Sequence, residues 1–342
     1  MSIVCLMQKS QGETMVSVYG LGNPLMDIIL RADHSTITQL DAVPGTMNLV
    51  DFDHQQRVIS LGKDPVFSAG GSCANTIRGL AWLTGKERDL GSPAYTGAVG
   101  QDENGGRFQR AMEAEGVRTL LARKPVPTGT SAILVTPDFE RTMFTYLGAC
   151  REYAVSDFDE DLLSQAHIFH TTGYMWDTVN QEEAAKRGIV EAQKRGVQVS
   201  FDIADPFVAR RYRDRLVHWL PGKIDILFAN LEELRAMTDV AGEPGEVLDA
   251  AGGYAPVVVM KYGKLGCLIL SAGGAVRVPG EAVDPRDTTG AGDSFAAGFL
   301  YTYLQGRPLA ECGRLANRLA SRVVTVQGCD YDLLDRSEIL SR

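Results

Sequence analysis

Residues 287–300 have the sequence DTTGAGDSFAAGFL, a glycine-spaced turn followed by an apolar run. Gly290 and Gly292 have no side chains, so successive N–H groups of the turn can converge on one point. The apolar run predicts a helix over about 291–305, and the start of a helix carries partial positive charge. The stretch therefore predicts an anion site where this helix begins.

Asp293 lies in the first turn of that predicted helix. The residues alone leave two interpretations open for its carboxylate. The first is a helix cap, which is a common role for Asp. The second is a general base that takes a proton from an attacking hydroxyl group, while the N–H groups of Gly290, Ala291 and Gly292 stabilise a transferring phosphoryl group.

Around this stretch, predicted strands and helices alternate along most of the chain. Such alternation is typical of a three-layer α/β/α fold with a mainly parallel central sheet. The rhythm changes at TSAILVT (130–136) and RTMFTYL (141–147), two strands joined by Pro137 and Asp138, which predict a hairpin. We expect one domain over 16–342, with a small β-sheet lid formed by about 26–50 and 118–150.

The composition indicates which kinds of binding partner and which cellular compartment to expect. The chain has 342 residues and a formal net charge of -9, which disfavours nucleic acid or an anionic membrane as the main partner. Its six cysteines are scattered without metal-ligand spacing, which favours a reducing cytoplasm. Residues 1–15 are too weakly apolar for a secretory signal and are expected to form a flexible leader, with Met1 and Met15 as alternative starts.

A second glycine-rich motif is GGSCANT, residues 70–76. On its own, the pair Gly70 and Gly71 is also compatible with a plain turn that enters a helix. Together with residues 287–300, however, the motif resembles the two signatures of the PfkB/ribokinase family of carbohydrate and nucleoside kinases, in the family's order. Further matches extend the resemblance over about 16–330 and indicate the adenosine-kinase-like branch.

The resemblance implies an ATP-dependent kinase that transfers the γ-phosphoryl group to the 5′-hydroxymethyl of a ribosyl compound, with adenosine preferred and a sugar such as ribose or fructose as the alternative. It implies a ribokinase-like fold and Asp293 as the base, with the N–H groups of the 290–293 turn as the anion hole. The acceptor would be bound, by the same resemblance, by Asn23, Asp27, Gly70, Gly71, Asn75, Tyr174 and Phe207.

The resemblance also implies a nucleotide site and ions. Glu233 would contact Mg²⁺ through water, Arg141 would move with the lid towards the transferring phosphate, and Asp287 with Thr289 and the backbone near Gly328 resembles a monovalent-cation (K⁺) loop. The residues implied at ATP are Asn230, Glu233, Lys261, Gly263, Gly266 and Asn317. In this family lid strands can pair between subunits, so both a monomer and a lid-mediated homodimer are compatible.

Several alternatives remain at the level of sequence. Asp27 can be a turn acid, Glu233 a first-turn helix acid, Lys261 and Arg141 solvated cations, and the rings of Tyr174 and Phe207 core residues. A nicotinamide-dependent oxidoreductase would need a complete G-x-G-x-x-G unit, and the segment GLGNPL (20–25) lacks its third glycine. A non-catalytic nucleoside-binding protein is the third alternative, since fold alone does not decide function.

Overall fold

The computed structural model describes residues 15–85, 90–138 and 140–341, so nearly all of the expected leader lies outside the described residues. The strands, numbered in chain order, are β1 Val16–Leu21, β2 Leu25–Arg31, β3 Met47–Leu49, β4 Lys63–Gly70, β5 Ser92–Gly100, β6 Arg118–Lys124, β7 Thr130–Val135, β8 Arg141–Tyr146, β9 Ala166–Thr172, β10 Gln198–Asp202, β11 Ile226–Asn230, β12 Val257–Lys261, β13 Cys267–Ser271 and β14 Gly274–Val278. The α-helices are α1 His34–Gln39, α2 Phe52–Leu61, α3 Ser72–Thr84, α4 Glu103–Ala114, α5 Glu160–Ser164, α6 Val179–Arg195, α7 Pro206–Arg211, α8 Arg213–Trp219, α9 Leu231–Thr238, α10 Pro244–Ala250, α11 Ala291–Leu304, α12 Leu309–Val323 and α13 Arg336–Leu340.

Nine strands form the larger sheet, in the order β14-β13-β12-β11-β10-β9-β1-β5-β6. All neighbours are parallel except the pairs β12–β13 and β13–β14. Side chains alternate between the two faces of a strand, so Tyr19 packs in the core on one face and Val18 in the core on the other. Helices α6, α8, α9 and α10 contribute to the first core, and α3, α4, α11 and α12 contribute to the second. The three-layer prediction is confirmed.

The second sheet has five strands in the order β3-β8-β7-β2-β4. The predicted hairpin is confirmed as the antiparallel pair β7–β8. Along β2, Ile28 and Leu30 point into a small core with Ile37 of α1 and Val58 of α2. Asp27 alternates with them and therefore points to the opposite face. That face looks towards the larger sheet, and it lines a cavity.

The extent of the second sheet differs from the expected 26–50 and 118–150 in two ways. Residues 118–124 form β6, which pairs with β5 at the edge of the larger sheet. Residues 63–70 form β4, which pairs with β2 at the edge of the second sheet. Strand β4 contains Pro65 and lacks a clear apolar alternation, because most of this edge strand is exposed and neither of its faces has to be apolar. For this reason the sequence pattern does not predict it as a strand.

Candidate active site

A cavity of about 930 Å³ lies between the carboxyl ends of the parallel strands and the second sheet. Ligand sites in open α/β sheets occur at this edge. All residues predicted for the site line the cavity, except Gly70, Arg141 and Asp287. The structure therefore brings together the two glycine-rich motifs, although they are far apart in the sequence.

The predicted anion site forms at the start of α11. Gly290 has a φ of 73°, in the left-handed region, and a side chain there would lie 2.6 Å from Cys329 Sγ, so the turn requires glycine. The N–H of Ser294 donates to the Gly290 carbonyl, which closes the first helical turn. The N–H of Ala291, predicted as part of the anion hole, donates instead to the Thr288 carbonyl at 3.3 Å. Within the described residues, the N–H groups of Gly292 and Asp293 have no protein acceptor, as expected for the first turn of a helix. These two N–H groups are free to bind an anion.

Asp293 is bound by α3 and not by the N–H groups of its own helix. Ser72 Oγ donates to Asp293 Oδ1 at 2.6 Å, and Asn75 Nδ2 donates to Oδ2 at 3.0 Å. Burial raises the pKa of Asp293 to about 6, although the bonds from Ser72 and Asn75 favour the ionised form. The carboxylate faces the cavity in a fixed orientation, so the helix-cap interpretation does not describe it. A group with this pKa is largely ionised at neutral pH and can still accept a proton.

Lys261 is not a solvated cation, because only 13% of its side chain is exposed. Its Nζ donates to both oxygens of Asp202, at 2.9 and 2.8 Å. A Cβ atom on Gly292 would lie 3.3 Å from Nζ, so the ammonium group is next to the anion site. Burial alone would lower the pKa of Lys261, but the carboxylates of Asp202 and Glu233 outweigh it and raise the pKa. The lysine is therefore charged beside the point where a phosphate would arrive.

Asn230 and Glu233 form a reciprocal capping box at the start of α9. Asn230 donates to Glu233 from its backbone N and from Nδ2, both at 2.7 Å, and Glu233 N donates to Asn230 Oδ1 at 2.8 Å. Glu233 is buried rather than solvated, and burial raises its pKa to about 7. Both of its oxygens accept bonds from Asn230, and both residues line the cavity.

At the other end of the cavity, Asp27 accepts no hydrogen bond from the described residues, and burial raises its pKa to about 6. A Cβ atom on Gly70 would lie 2.6 Å from Asp27 Oδ2, and a Cβ atom on Gly71, whose φ is 101°, would lie 2.2 Å from the Asn23 carbonyl oxygen. Gly70 therefore allows a close approach of β4 to β2, and Gly71 allows a close approach of the turn after β4 to the loop before β2. The Asn23 side chain is held by Gln181 Nε2 at 2.7 Å.

The two predicted aromatic residues line the cavity in different ways. Tyr174 is partly buried and packs against the core, and its hydroxyl donates to Asp205 Oδ2 at 3.4 Å. Phe207 has 45% of its surface exposed, so it does not fill the core. An exposed ring in the wall of a cavity is available for stacking on a flat ligand.

Arg141 has 12% of its side chain exposed and is bonded to Asp287, which joins the second sheet to the loop before α11. The Arg141 atoms Nε and Nη2 are buried without a hydrogen-bond partner in the described part of the chain. Asp287 also accepts bonds from the N–H groups of Thr289 at 2.9 Å and Gly328 at 2.7 Å. Burial would raise the pKa of Asp287, but these N–H groups and Arg141 lower it. Within 15–85, 90–138 and 140–341, no three His, Cys, Asp or Glu residues are grouped to hold a metal ion.

The remaining predicted residues lie where α12 meets β13 and β14. Asn317 is buried, and its Nδ2 donates to the carbonyls of Val278 at 3.2 Å and Pro279 at 3.1 Å, which leaves its oxygen for another contact. Gly263 and Gly266 both have positive φ in the loop after β12. A side chain on Gly266 would lie 2.1 Å from the Val278 carbonyl, whereas Gly263 has open space around it.

Sequence reasoning did not assign roles to three residues that complete the site. Ser72 lies inside the quoted GGSCANT motif, and only the fold shows that it donates to Asp293. Asp202 ends β10 and pairs with Lys261. Asp205 accepts from Tyr174. The available signal for the last two was their position at the end of strand β10 and just after it, because ligands bind at strand ends.

Known proteins resemble this chain over nearly its whole length. The model of the pfkB family of carbohydrate kinases matches residues 39–336. An adenosine kinase from Dictyostelium discoideum is 26% identical over 334 residues, which cover 92% of this chain and 96% of that protein. An uncharacterized sugar kinase from Archaeoglobus fulgidus is 31% identical over 248 residues, 69% of this chain and 92% of that protein.

A solved structure agrees with these sequence matches. The crystal structure of adenosine kinase from Sinorhizobium meliloti has a TM-score of 0.86 and 32% identity to this chain, covering 95% of this chain and 98% of that one. In the described residues, no helix is long and apolar enough to cross a membrane.

Proposed function

Because this chain belongs to the pfkB family of carbohydrate kinases and is a phosphotransferase with an alcohol acceptor, we propose that it phosphorylates the 5′-hydroxymethyl of a ribosyl compound, with adenosine as the preferred acceptor. The observation that carries the proposal is the placement of Asp293. Its carboxylate is held by Ser72 and Asn75 beside two free N–H groups, in a cavity that also contains Asp27.

The Asp27 carboxylate is suited to bind hydroxyl groups of a ligand. Its two oxygens can accept from the vicinal 2′- and 3′-hydroxyls of a ribose, and no protein donor competes with them in the described residues. Tyr174 and Phe207 line the same cavity and supply aromatic surface for a base. The aromatic surface favours a nucleoside, and the similarity to an uncharacterized sugar kinase keeps a free sugar as the second candidate.

The phosphoryl donor we propose is ATP, bound at the start of α11. The N–H groups of Gly292 and Asp293 and the ammonium group of Lys261 would receive its terminal phosphate, because all three are positive and adjacent. Asn230 and Glu233 fit a magnesium ion through its water shell, since each Glu233 oxygen already accepts one bond from Asn230 and keeps a lone pair for a water molecule. When bound there, the ion would neutralise phosphate charge.

In the proposed reaction, Asp293 accepts the proton of the acceptor hydroxyl while that oxygen forms its bond to the γ-phosphorus. The bond from the γ-phosphorus to the bridging oxygen breaks, and its electron pair leaves with ADP. The free N–H groups stabilise the charge on the phosphoryl oxygens. The second sheet covers the acceptor, which would exclude water from this transfer.

The test is an ADP-release assay with the full chain, ATP and Mg²⁺ over adenosine, other nucleosides, ribose and fructose. We expect the highest kcat/KM with adenosine, and the Asp293→Asn variant should lower kcat by roughly 100- to 10,000-fold while adenosine still binds. Asp284→Asn is the control, because Asp284 is an exposed acid of the same loop that does not line the cavity. Near-normal turnover in Asp293→Asn would reject Asp293 as the base.

The pH dependence supplies a second measurement. Only the ionised carboxylate of Asp293 can accept a proton, and its pKa is about 6. We therefore expect kcat to fall at low pH, in an acid limb set by the pKa of Asp293 in the substrate complex, and to reach a plateau at higher pH. A kcat that stays constant from pH 8 down to pH 5 would contradict the assignment.

A further inference from the structure

Arg78 is a buried cation that no part of the proposed reaction uses directly. It lies in α3, one helical turn after Asn75, and only 6% of its surface is exposed. Arginine is almost never this deeply buried unless its charge is paired. Its partners therefore show what the side chain does.

One side of the guanidinium group is held by Glu115, the residue that follows α4. Arg78 Nε lies 2.9 Å from both oxygens of Glu115, and Nη2 donates to Oε1 at 2.7 Å. Glu115 is more accessible, with 23% of its side chain exposed. This forked pair fixes the plane of the guanidinium, which a lysine ammonium cannot reproduce.

The other side of the guanidinium group contacts one residue near Asp27 and one residue that binds Asp293. Nη1 donates to the Ala69 carbonyl at 2.7 Å and lies 3.4 Å from Asn75 Oδ1. Ala69 is the β4 residue directly before Gly70, whose backbone approaches Asp27. The Asn75 amide in turn donates to Asp293 from its nitrogen. The same nitrogen of Arg78 thus touches the strand beside Asp27 and the amide that binds Asp293.

An amide can present either its oxygen or its nitrogen, and the wrong orientation would place the Asn75 oxygen against the Asp293 carboxylate. Because Arg78 offers only donors, it attracts the Asn75 oxygen and directs the nitrogen to Asp293. Tyr331, whose ring lies under the Arg78 guanidinium, also fixes the backbone of Asn75, since its hydroxyl donates to the Asn75 carbonyl at 3.1 Å.

We infer that Arg78 is a positioning residue for phosphoryl transfer: held by Glu115, it orients the Asn75 amide towards Asp293 and fixes the end of β4 beside Asp27. The inference rests on the proposed function of Asp293 as the base. It assigns Arg78 no contact with either substrate, so substrate affinity should depend on it less than turnover does.

The test compares Arg78→Lys, Glu115→Gln and a matched control in kcat, KM and the pH dependence of kcat at saturating acceptor. Arg336→Lys is the control, because Arg336 also binds α3, through the carbonyls of Leu83 and Thr84 at the opposite end of the helix. It can weaken α3 without touching Asn75. Both arginine variants should lower the melting temperature, so stability alone does not discriminate between them.

For Arg78→Lys, we expect kcat to fall by up to roughly 100-fold, because a small misplacement of reacting groups has an effect of this order. Loss of the oriented Asn75 donor should also raise the pKa of Asp293, so the acid limb of kcat should move to higher pH. Glu115→Gln should change kcat and the position of the acid limb in the same directions but by less. If Arg78→Lys does not fold, Glu115→Gln still tests the inference, because a glutamine can remain a hydrogen-bond partner of Arg78. Arg336→Lys should leave the acid limb in place.

Glu115→Gln removes a negative charge, which by itself would lower the pKa of Asp293, so a shift of the acid limb to higher pH reports on Asn75. Otherwise the charged and titratable groups that act on Asp293 are the same in all these variants. These groups are Asp27, Asp202, Lys261, Cys73, Tyr174 and Cys329. An acid limb of Arg78→Lys and Glu115→Gln that coincides with wild type would overturn the inference, even if Asp293→Asn is inactive. If Asp293→Asn is itself active, Asp293 is not the base, and that result rejects the proposed function of Asp293 rather than the role of Arg78 alone.

Discussion

The two ends of the cavity differ in how many of their charged groups already have protein partners. At the phosphate end, Lys261 is paired with Asp202, Glu233 with Asn230, and Asp293 with Ser72 and Asn75. At the acceptor end, Asp27 accepts no bond from the described residues, and apolar side chains of the second sheet and the loops beside it line the same cavity. These are Leu25, Met47, Leu49, Met143 and Leu147.

The groups at the phosphate end are therefore fixed before a ligand binds, whereas Asp27 gains its partners from the ligand. Groups that act on developing charge are effective when they need no reorganisation, and the bonds at the phosphate end provide that. A group that recognises a substrate must keep its acceptors free until the substrate supplies the donors, as Asp27 does. We therefore expect substitutions at the phosphate end to affect folding and turnover, and substitutions at the acceptor end to affect binding.

The largest expected effect is on stability, in Lys261→Met. The substitution leaves the Asp202 carboxylate buried without its cation, so the free energy of unfolding should fall by about 3–5 kcal/mol. Urea denaturation at neutral pH measures this. Adding Asp202→Asn should restore much of the lost stability but not the activity, because the buried charge is removed while the ammonium beside the anion site remains absent. Unchanged stability in Lys261→Met would remove the distinction between the two ends.

The next effect, in Asp27→Asn, should appear in binding and not in folding. A hydroxyl bonded to a carboxylate contributes about 2–3 kcal/mol, so the KM for adenosine should rise roughly 30- to 160-fold. Because burial raises the pKa of Asp27 to about 6, ionisation of this carboxyl group above that pH lowers the free energy of unfolding. The variant should therefore be at least as stable as wild type at pH 8, an advantage that decreases as pH falls through 6.

Asp64→Asn is the matched control for Asp27→Asn, since Asp64 is an exposed acid on the neighbouring strand β4 that lies outside the cavity. It should leave the KM unchanged. A loss of stability in Asp27→Asn at pH 8, with an unchanged KM, would mean that Asp27 has a structural role like the acids of the phosphate end.

The contrast between the two ends also explains how much could be predicted from the sequence. The large sheet follows from the alternation of apolar strands and helices, and the positions of Asp293 and Gly290 follow from one local motif. The pairing of side chains cannot be predicted from the sequence in this way. Asp202 contacts Lys261, and Ser72 contacts Asp293, only because distant strands and helices pack together. Strand β4 was missed because its edge position removes the alternating pattern, and β6 was placed in the wrong sheet because pairing is a tertiary property.

The smallest expected effect distinguishes a nucleoside from a free sugar at the acceptor end. If Phe207 stacks on a base, Phe207→Ala should raise the KM for adenosine by roughly 2- to 13-fold, which corresponds to 0.5–1.5 kcal/mol for an aromatic contact. The KM for ribose, which has no base, should not change. Phe67→Ala is the matched control, since Phe67 is 40% exposed with an arginine over its ring, like Phe207 at 45%, but lies outside the cavity. An equal change for both acceptors would mean that Phe207 shapes the wall of the cavity without contacting a base, and the nucleoside preference would then rest on similarity to known adenosine kinases alone.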